Sequence, residues 1–94
     1  MGALPAEDEG DMNLQMTDAE LSGRVQRTFE SIFRHELPFR ADLNRASEPR
    51  WTSLQHIEFL IALEKEFKLR FDGADATDMS TMPIVLARLR EKLQ

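Results

Sequence analysis

The chain has no cysteine, few histidines and no long hydrophobic run, and each absence excludes a class of function. Without cysteine the chain can form no disulfide, thiolate metal site or cysteine nucleophile. The two histidines, His35 and His56, lie far apart and have no carboxylate at metal-ligand spacing, so we expect surface or half-buried side chains and no metal site. The longest apolar stretch, Phe59 to Leu63, is far shorter than the roughly 20 residues that cross a bilayer.

Acidic residues are concentrated at the start of the chain, whose net charge is −5. Residues 1–20 contain six acids and neither Lys nor Arg, whereas the remainder is nearly neutral. Nucleic-acid binding requires a clustered basic face, so we expect no nucleic-acid partner. The sequence does not open with a signal peptide, and Ala6 stands where a myristoylation signal has Ser or Thr. We therefore expect a cytoplasmic protein without stable membrane association.

The hydrophobic pattern divides the chain into a tail and one helical domain. Residues 1–16 lack hydrophobic periodicity and are predicted to be a disordered acidic tail. In residues 17–94, Thr17 with Glu20 and Thr52 with Gln55 match the capping box that begins a helix. The pattern predicts an all-α fold of three main antiparallel helices plus one short helix, with a long first loop over residues 38–51. We expect Phe39, Leu43 and Trp51 to pin this loop to the core.

The second helix, from Thr52 to about Phe67, is unusually apolar. Its hydrophobic side chains cover an arc of about 220°, more than twice what a surface helix needs. Ile57 and Ile61 lie at the edge of this arc, on the side of Ser53. They either pack against the long loop or remain available to a partner, and the pattern alone leaves both possibilities open.

Ser53 is a candidate attachment point on physical grounds. With Thr52 as the N-cap, Ser53 is the first residue inside the helix, where unpaired backbone N–H groups would favour a phosphate. No histidine–acid pair in the local sequence would activate this hydroxyl as a nucleophile. Spacing alone favours the simpler interpretation that Ser53 only helps Thr52 to cap the helix.

The segment Trp51-Thr52-Ser53-Leu54-Gln55 and its continuation to Ala62-Leu63-Glu64-Lys65-Glu66-Phe67 resemble the acyl carrier protein signature. That signature is Asp-Ser-Leu followed by a helix of apolar and acidic residues that ends in Ala-Leu-Glu-x-Glu-Phe. The resemblance continues through Lys68-Leu69-Arg70-Phe71 and Met79-Ser80-Thr81-Met82, and it covers about residues 18–94. It implies an acyl-carrier-like four-helix bundle.

The resemblance also implies a function. Ser53 would carry 4′-phosphopantetheine, transferred from coenzyme A by a phosphopantetheinyl transferase, with Thr52 and Leu54 beside the attachment point. The arm's thiol would hold acyl groups as thioesters and present them to acyl-loading and acyl-transferring enzymes, and the protein would not itself be an enzyme. Independently of the resemblance, we expect a monomer because the sequence indicates no large self-complementary apolar patch. The implied partner-binding residues are Gln55, Ile57, Glu58, Ile61 and Glu64, and those of the core and acyl cavity are Phe29, Phe33, Leu60, Leu63, Phe67 and Phe71.

Three positions depart from the family pattern. Thr52 replaces the aspartate before the serine, and Gln55 and Lys65 stand where fatty-acid carriers are acidic. A weaker acidic helix predicts slower encounters with generic fatty-acid enzymes, which favours a specialised fatty-acid, lipid or polyketide pathway. The alternative is an unmodified carrier-like module that only binds proteins, and Thr52 is its main argument. A peptidyl carrier ranks lower because its usual glycine-rich approach to the serine is missing.

Overall fold

Four helices follow one another in residues 16–93, the part of the chain that this computed structural model describes. They are α1 (Asp18–Phe33), α2 (Ser53–Phe67), the short α3 (Gly73–Asp78) and α4 (Met82–Leu93), with a 3₁₀ turn at Arg45–Ser47 in the loop between α1 and α2. No strand occurs in the described range beyond a single bridge between Asn44 and Thr81, which confirms the all-α prediction. The predicted tail, except for Met16, lies outside the described residues.

The helix starts follow the capping residues that the sequence predicts. Thr17 and Glu20 form a complete capping box at α1. At α2 only half of the predicted box forms: the Thr52 hydroxyl accepts the Gln55 amide at 3.2 Å. The Gln55 side chain turns away, because its Nε2 faces a carboxylate oxygen of Glu36 at 3.5 Å.

The ends of α1 and α2 are set by residues with positive φ. The predicted first loop begins at residue 38, whereas α1 already ends at Phe33, where Arg34 has φ 55°. Lys68 ends α2 in the left-handed conformation, with φ 56°, and its N–H donates to the Glu64 carbonyl. The positive φ of Arg34 turns the chain out of α1 into the loop that leads to α2, and α1 and α2 lie side by side.

Side-chain pairs show the relative directions of the long helices. Arg24 near the start of α1 meets Glu66 near the end of α2 at 2.8 Å, whereas Phe29 further along α1 contacts Phe59. The two helices are therefore antiparallel. Arg90 in the last turn of α4 reaches Asp18 in the first turn of α1 at 2.8 Å, so the end of α4 lies beside the start of α1.

The core lies between the three long helices and extends under the loop. Phe29, Phe33, Leu60, Leu63 and Phe67 are buried, as predicted, while Phe71 is partly buried at the edge. Of the expected loop pins, Leu43 and Trp51 are buried and Phe39 is partly buried. Leu37, which the sequence pattern did not single out, is a fourth pin at 2% exposure.

The loop is also fastened to the start of α4 by backbone hydrogen bonds. The Arg45 N–H donates to the Ser80 carbonyl, and the Met82 N–H donates to the Leu43 carbonyl, each at 2.8 Å. The Asn44 side chain caps the 3₁₀ turn by accepting the Ala46 amide. These bonds satisfy polar backbone groups where the loop crosses the core, and they fix the position of the turn.

A buried carboxylate ties α3 to α4. Asp75 accepts from the Asp72 N–H at 3.0 Å and forms ion pairs with Lys92 at 3.0 Å and with Arg88 at 3.6 Å. The hydrogen bond from the Asp72 backbone, supported by the Lys92 ammonium, lowers the pKa of the Asp75 carboxyl from its ordinary value. The paired cations offset the cost of burying this charge, which keeps α3 docked although it is only six residues long.

Two leucines of α2 test the assignment of its buried face. Leu63 is fully buried and Leu54 is 68% exposed. We expect Leu63→Ala to lower the free energy of unfolding by about 2–5 kcal/mol, because it leaves a cavity in the core. The matched change Leu54→Ala should stay within about 0.5 kcal/mol. Urea denaturation of both variants measures the difference, and equal losses would contradict this orientation of α2.

Candidate functional site

The start of α2 presents Ser53 to solvent. Ser53 is the first residue of a 15-residue helix, directly after the N-cap Thr52, and its side chain is exposed. The sequence predicted this position, and a buried hydroxyl or a mid-helix serine would have excluded an attached group. The first-turn amides of α2 lie beside this side chain, so a negative charge here would meet the positive end of the helix dipole.

An arginine that the sequence analysis did not select contacts the Ser53 hydroxyl. Arg45 Nη2 donates to Ser53 Oγ at 2.9 Å, and Arg45 Nε donates to the Trp51 carbonyl at 3.2 Å. The guanidinium thus bridges the turn of the loop and the first turn of the helix. Eight residues separate Arg45 from Ser53, and no periodic pattern in the sequence indicates this contact.

Trp51 and His56 form a buried hydrogen-bonded pair beneath Ser53. Trp51 Nε1 donates to His56 Nδ1 at 3.0 Å, and His56 Nε2 lies 2.9 Å from the Ala76 carbonyl oxygen. Because an indole N–H can only donate, Nδ1 must accept, and the ring proton must sit on Nε2 and be donated to Ala76. The neutral Nε2–H tautomer therefore joins the loop, α2 and α3.

The burial of His56 corrects the expectation of a surface or half-buried histidine. His56 is only 5% exposed, and both of its ring nitrogens have partners inside the fold. Burial lowers the pKa of His56 from its ordinary value of 6.5, and the nearby Arg45 charge lowers it further against the opposing hydrogen bond to Ala76. His35 is exposed, and the described residues contain no group of three side chains that could hold a metal ion.

An exposed apolar ridge runs along α2 from the site. We define the ridge by Leu54, Ile57 and Ile61, whose exposures are 68%, 48% and 46%. These values exclude the possibility that the loop covers Ile57 and Ile61. Both isoleucines remain accessible, which accounts for the excess width of the apolar arc on this helix.

The polar residues predicted to bind partners have different surroundings. Glu58 is exposed beside the ridge, and Gln55 is half-buried near Glu36. Glu64 is also half-buried, and its carboxylate accepts the Phe71 N–H at 2.7 Å, a bond that holds the exit from α2. This structural role leaves Glu64 less free to meet a partner than Glu58 is.

Comparison with known proteins adds no family assignment. No protein-family model matches the chain, and neither a curated protein nor a solved structure is significantly similar to it. The described helices are also too short or too polar to span a bilayer. The residues around Ser53 and the motif that contains them are therefore the features that indicate a function.

The lowered pKa of His56 predicts acid sensitivity. Above pH 6.5 the ring is neutral in both folded and unfolded chains, so the contribution to stability is complete. As the pH falls below 6.5, the unfolded chain binds a proton first, and the free energy of unfolding decreases. The decrease continues until the pH passes the folded-state pKa.

Chemical denaturation at a series of pH values between 7.5 and 5 measures this effect. The matched variant His56→Gln removes the titrating group, and we expect it to flatten the dependence over this interval. Asp75 acts in a separate window, because its stabilisation is lost only as the pH falls below 3.8. An unchanged slope in His56→Gln would show that another group is responsible.

Proposed function

We propose that this protein carries acyl groups as thioesters on a 4′-phosphopantetheine arm attached to Ser53, and that it catalyses no reaction itself. The observation that carries the proposal is the exposed Ser53 hydroxyl at the first position of α2, next to the apolar ridge. The Asp-Ser-Leu-like motif and the order of the helices support the same function. The chain has no cysteine, so the cofactor would supply the reactive thiol.

The attachment reaction requires a hydroxyl that an enzyme can reach. Ser53 Oγ would attack the pyrophosphate phosphorus of coenzyme A that bears the pantetheine, and adenosine 3′,5′-bisphosphate would leave with the electrons of the broken P–O bond. The serine proton would pass to a base of the phosphopantetheinyl transferase. The product is a phosphodiester with one negative charge, placed where the dipole of α2 favours it.

The ridge of α2 is the surface we assign to partner enzymes. Leu54, Ile57 and Ile61 begin beside the attachment point, so a bound enzyme would receive the arm directly. Glu58 is the exposed acid on this surface. Around the far end of the ridge, a depression of about 420 Å³ is lined by Ile61, Glu64, Lys65, Lys68, Leu69 and Arg70.

The charges along this surface favour a dedicated set of partners. Lys65, Lys68 and Arg70 make the far end of the ridge basic, whereas Glu64 is occupied by the Phe71 amide. An enzyme whose docking surface is basic throughout would be repelled there. We therefore assign the protein to a specialised fatty-acid, lipid or polyketide pathway, as a monomeric cytoplasmic carrier.

The modification of Ser53 is directly measurable. Incubation of the purified protein with coenzyme A and a broad-specificity phosphopantetheinyl transferase should add the mass of one arm, detected by intact mass spectrometry. Ser53→Ala should abolish the gain, whereas the matched change Ser47→Ala, at an exposed loop serine, should preserve it. A folded protein that gains no mass would favour the alternative, an unmodified module that binds partners through the ridge.

The role of the ridge is tested through the rate of that modification. Ile57→Gln and Ile61→Gln should each lower kcat/KM of the transferase about tenfold, because a docked isoleucine contributes roughly 1.5 kcal/mol of apolar burial. Ile84→Gln on α4, where Ile84 is 37% exposed, is the matched control and should leave the rate unchanged. Equal rates for all three variants would remove the ridge from the docking surface.

A further inference from the structure

Arg45 carries a positive charge whose hydrogen-bond partners are neutral. Its guanidinium donates to the Trp51 carbonyl and to the Ser53 hydroxyl. Among residues 16–93, no carboxylate lies within ion-pair distance of it, whereas Arg40 in the same loop pairs with Asp42 at 3.1 Å. A half-buried guanidinium is normally matched by a carboxylate or a phosphate.

The placement of Arg45 is fixed by the fold. Its backbone N–H donates to the Ser80 carbonyl, and Asn44 caps the turn that begins with it. The Trp51 carbonyl, which orients the side chain, belongs to a residue only 2% exposed. Arg45 therefore differs from a mobile surface arginine, because the fold holds its guanidinium against Ser53 Oγ. Ser53 Oγ is the atom to which the phosphate of the arm would be attached.

We infer that Arg45 is a positioning residue that pairs with the phosphodiester of the arm at Ser53 and fastens the root of the arm to the loop. This inference rests on the proposed function. Before modification the guanidinium meets a neutral hydroxyl, and afterwards it lies beside a phosphate monoanion. The contact becomes an ion pair only in the modified protein, because only then does the partner of the guanidinium carry a negative charge, so attachment of the arm stabilises the fold through Arg45.

The pairing also specifies what the site recognises. The guanidinium and the first-turn amides of α2 bracket Ser53, so the favoured group at this position is an anion with several acceptor oxygens. With the phosphodiester held at its root, the arm would leave the protein in a restricted direction. A partner docked on the ridge would then meet the thiol with less conformational freedom to lose.

The pairing is first tested without any transferase, by placing a carboxylate at position 53. Ser53→Asp should raise Tm relative to the neutral Ser53→Asn by about 3–5 °C. When Arg45 is also changed to Gln, this rise in Tm should fall to about half or less, because only the interaction of the introduced carboxylate with the dipole of α2 then remains. Arg45→Lys, which keeps the charge, should preserve most of the gain, and high salt should reduce it.

The comparisons at positions 45 and 53 form a double-mutant cycle, and its matched control is Arg40→Gln. Arg40 is an exposed arginine of the same loop with its own partner, Asp42, and it lies outside the site. The gain from Ser53→Asp should be the same with and without Arg40. If Arg45→Gln also leaves the gain unchanged, the assigned pairing is overturned.

The modified protein provides the second test. Attachment of the arm should raise Tm more in the natural chain than in Arg45→Gln, and the phosphorus NMR resonance of the arm should differ between the two. Equal shifts with full mass gain overturn the role of Arg45 while the carrier function stands. If the folded protein gains no mass, the carrier function is overturned. The phosphodiester is then also overturned as the partner of Arg45, whatever the double-mutant cycle shows.

Discussion

The site depends on the contacts that Trp51 makes with the core, with His56 and with Arg45. The Trp51 ring lies at edge-to-face distances from Phe29 and Phe59, with centroid separations of 5.9 and 6.2 Å, so the core fixes its position. From that position Nε1 donates to His56 and the backbone carbonyl accepts from Arg45. Trp51 thus sets the tautomer of His56 through its side chain and orients Arg45 through its backbone carbonyl.

This dependence explains how a long loop can position a charged group accurately. Ordering a connection of this length costs conformational entropy, and few of its residues form secondary structure. Burial of Leu37, Leu43 and Trp51 offsets that cost. Two backbone hydrogen bonds to the start of α4 fix the position of the loop relative to that helix. The loop therefore behaves as part of the core, and Arg45 is held by the same contacts that hold the fold together.

The parts of the structure that the sequence predicted are those set by neighbouring residues. Thr17 and Thr52 cap helices through bonds to amides three residues away, and the apolar periodicity of α2 places Leu63 on its buried face. Such features depend on spacing alone, so the helix starts, most of the core and the position of Ser53 followed from the sequence.

The remaining features depend on contacts that spacing does not encode. His56 can be buried because the carbonyl of Ala76, twenty residues away, accepts a hydrogen bond from its Nε2–H. Arg45 reaches Ser53 because buried residues elsewhere hold the loop in place. His56 and Arg45 thus owe their roles to tertiary packing, and no motif in the surrounding sequence indicates either role. The resulting environment of Ser53 is more positive than an Asp-Ser-Leu motif would give, since neutral Thr52 replaces the acid and Arg45 adds a cation. Lys65 and Lys68 continue this positive charge at the far end of α2. If the protein is the carrier we propose, these charges would act together with Thr52 and Arg45 to select against partners that recognise acidic carriers.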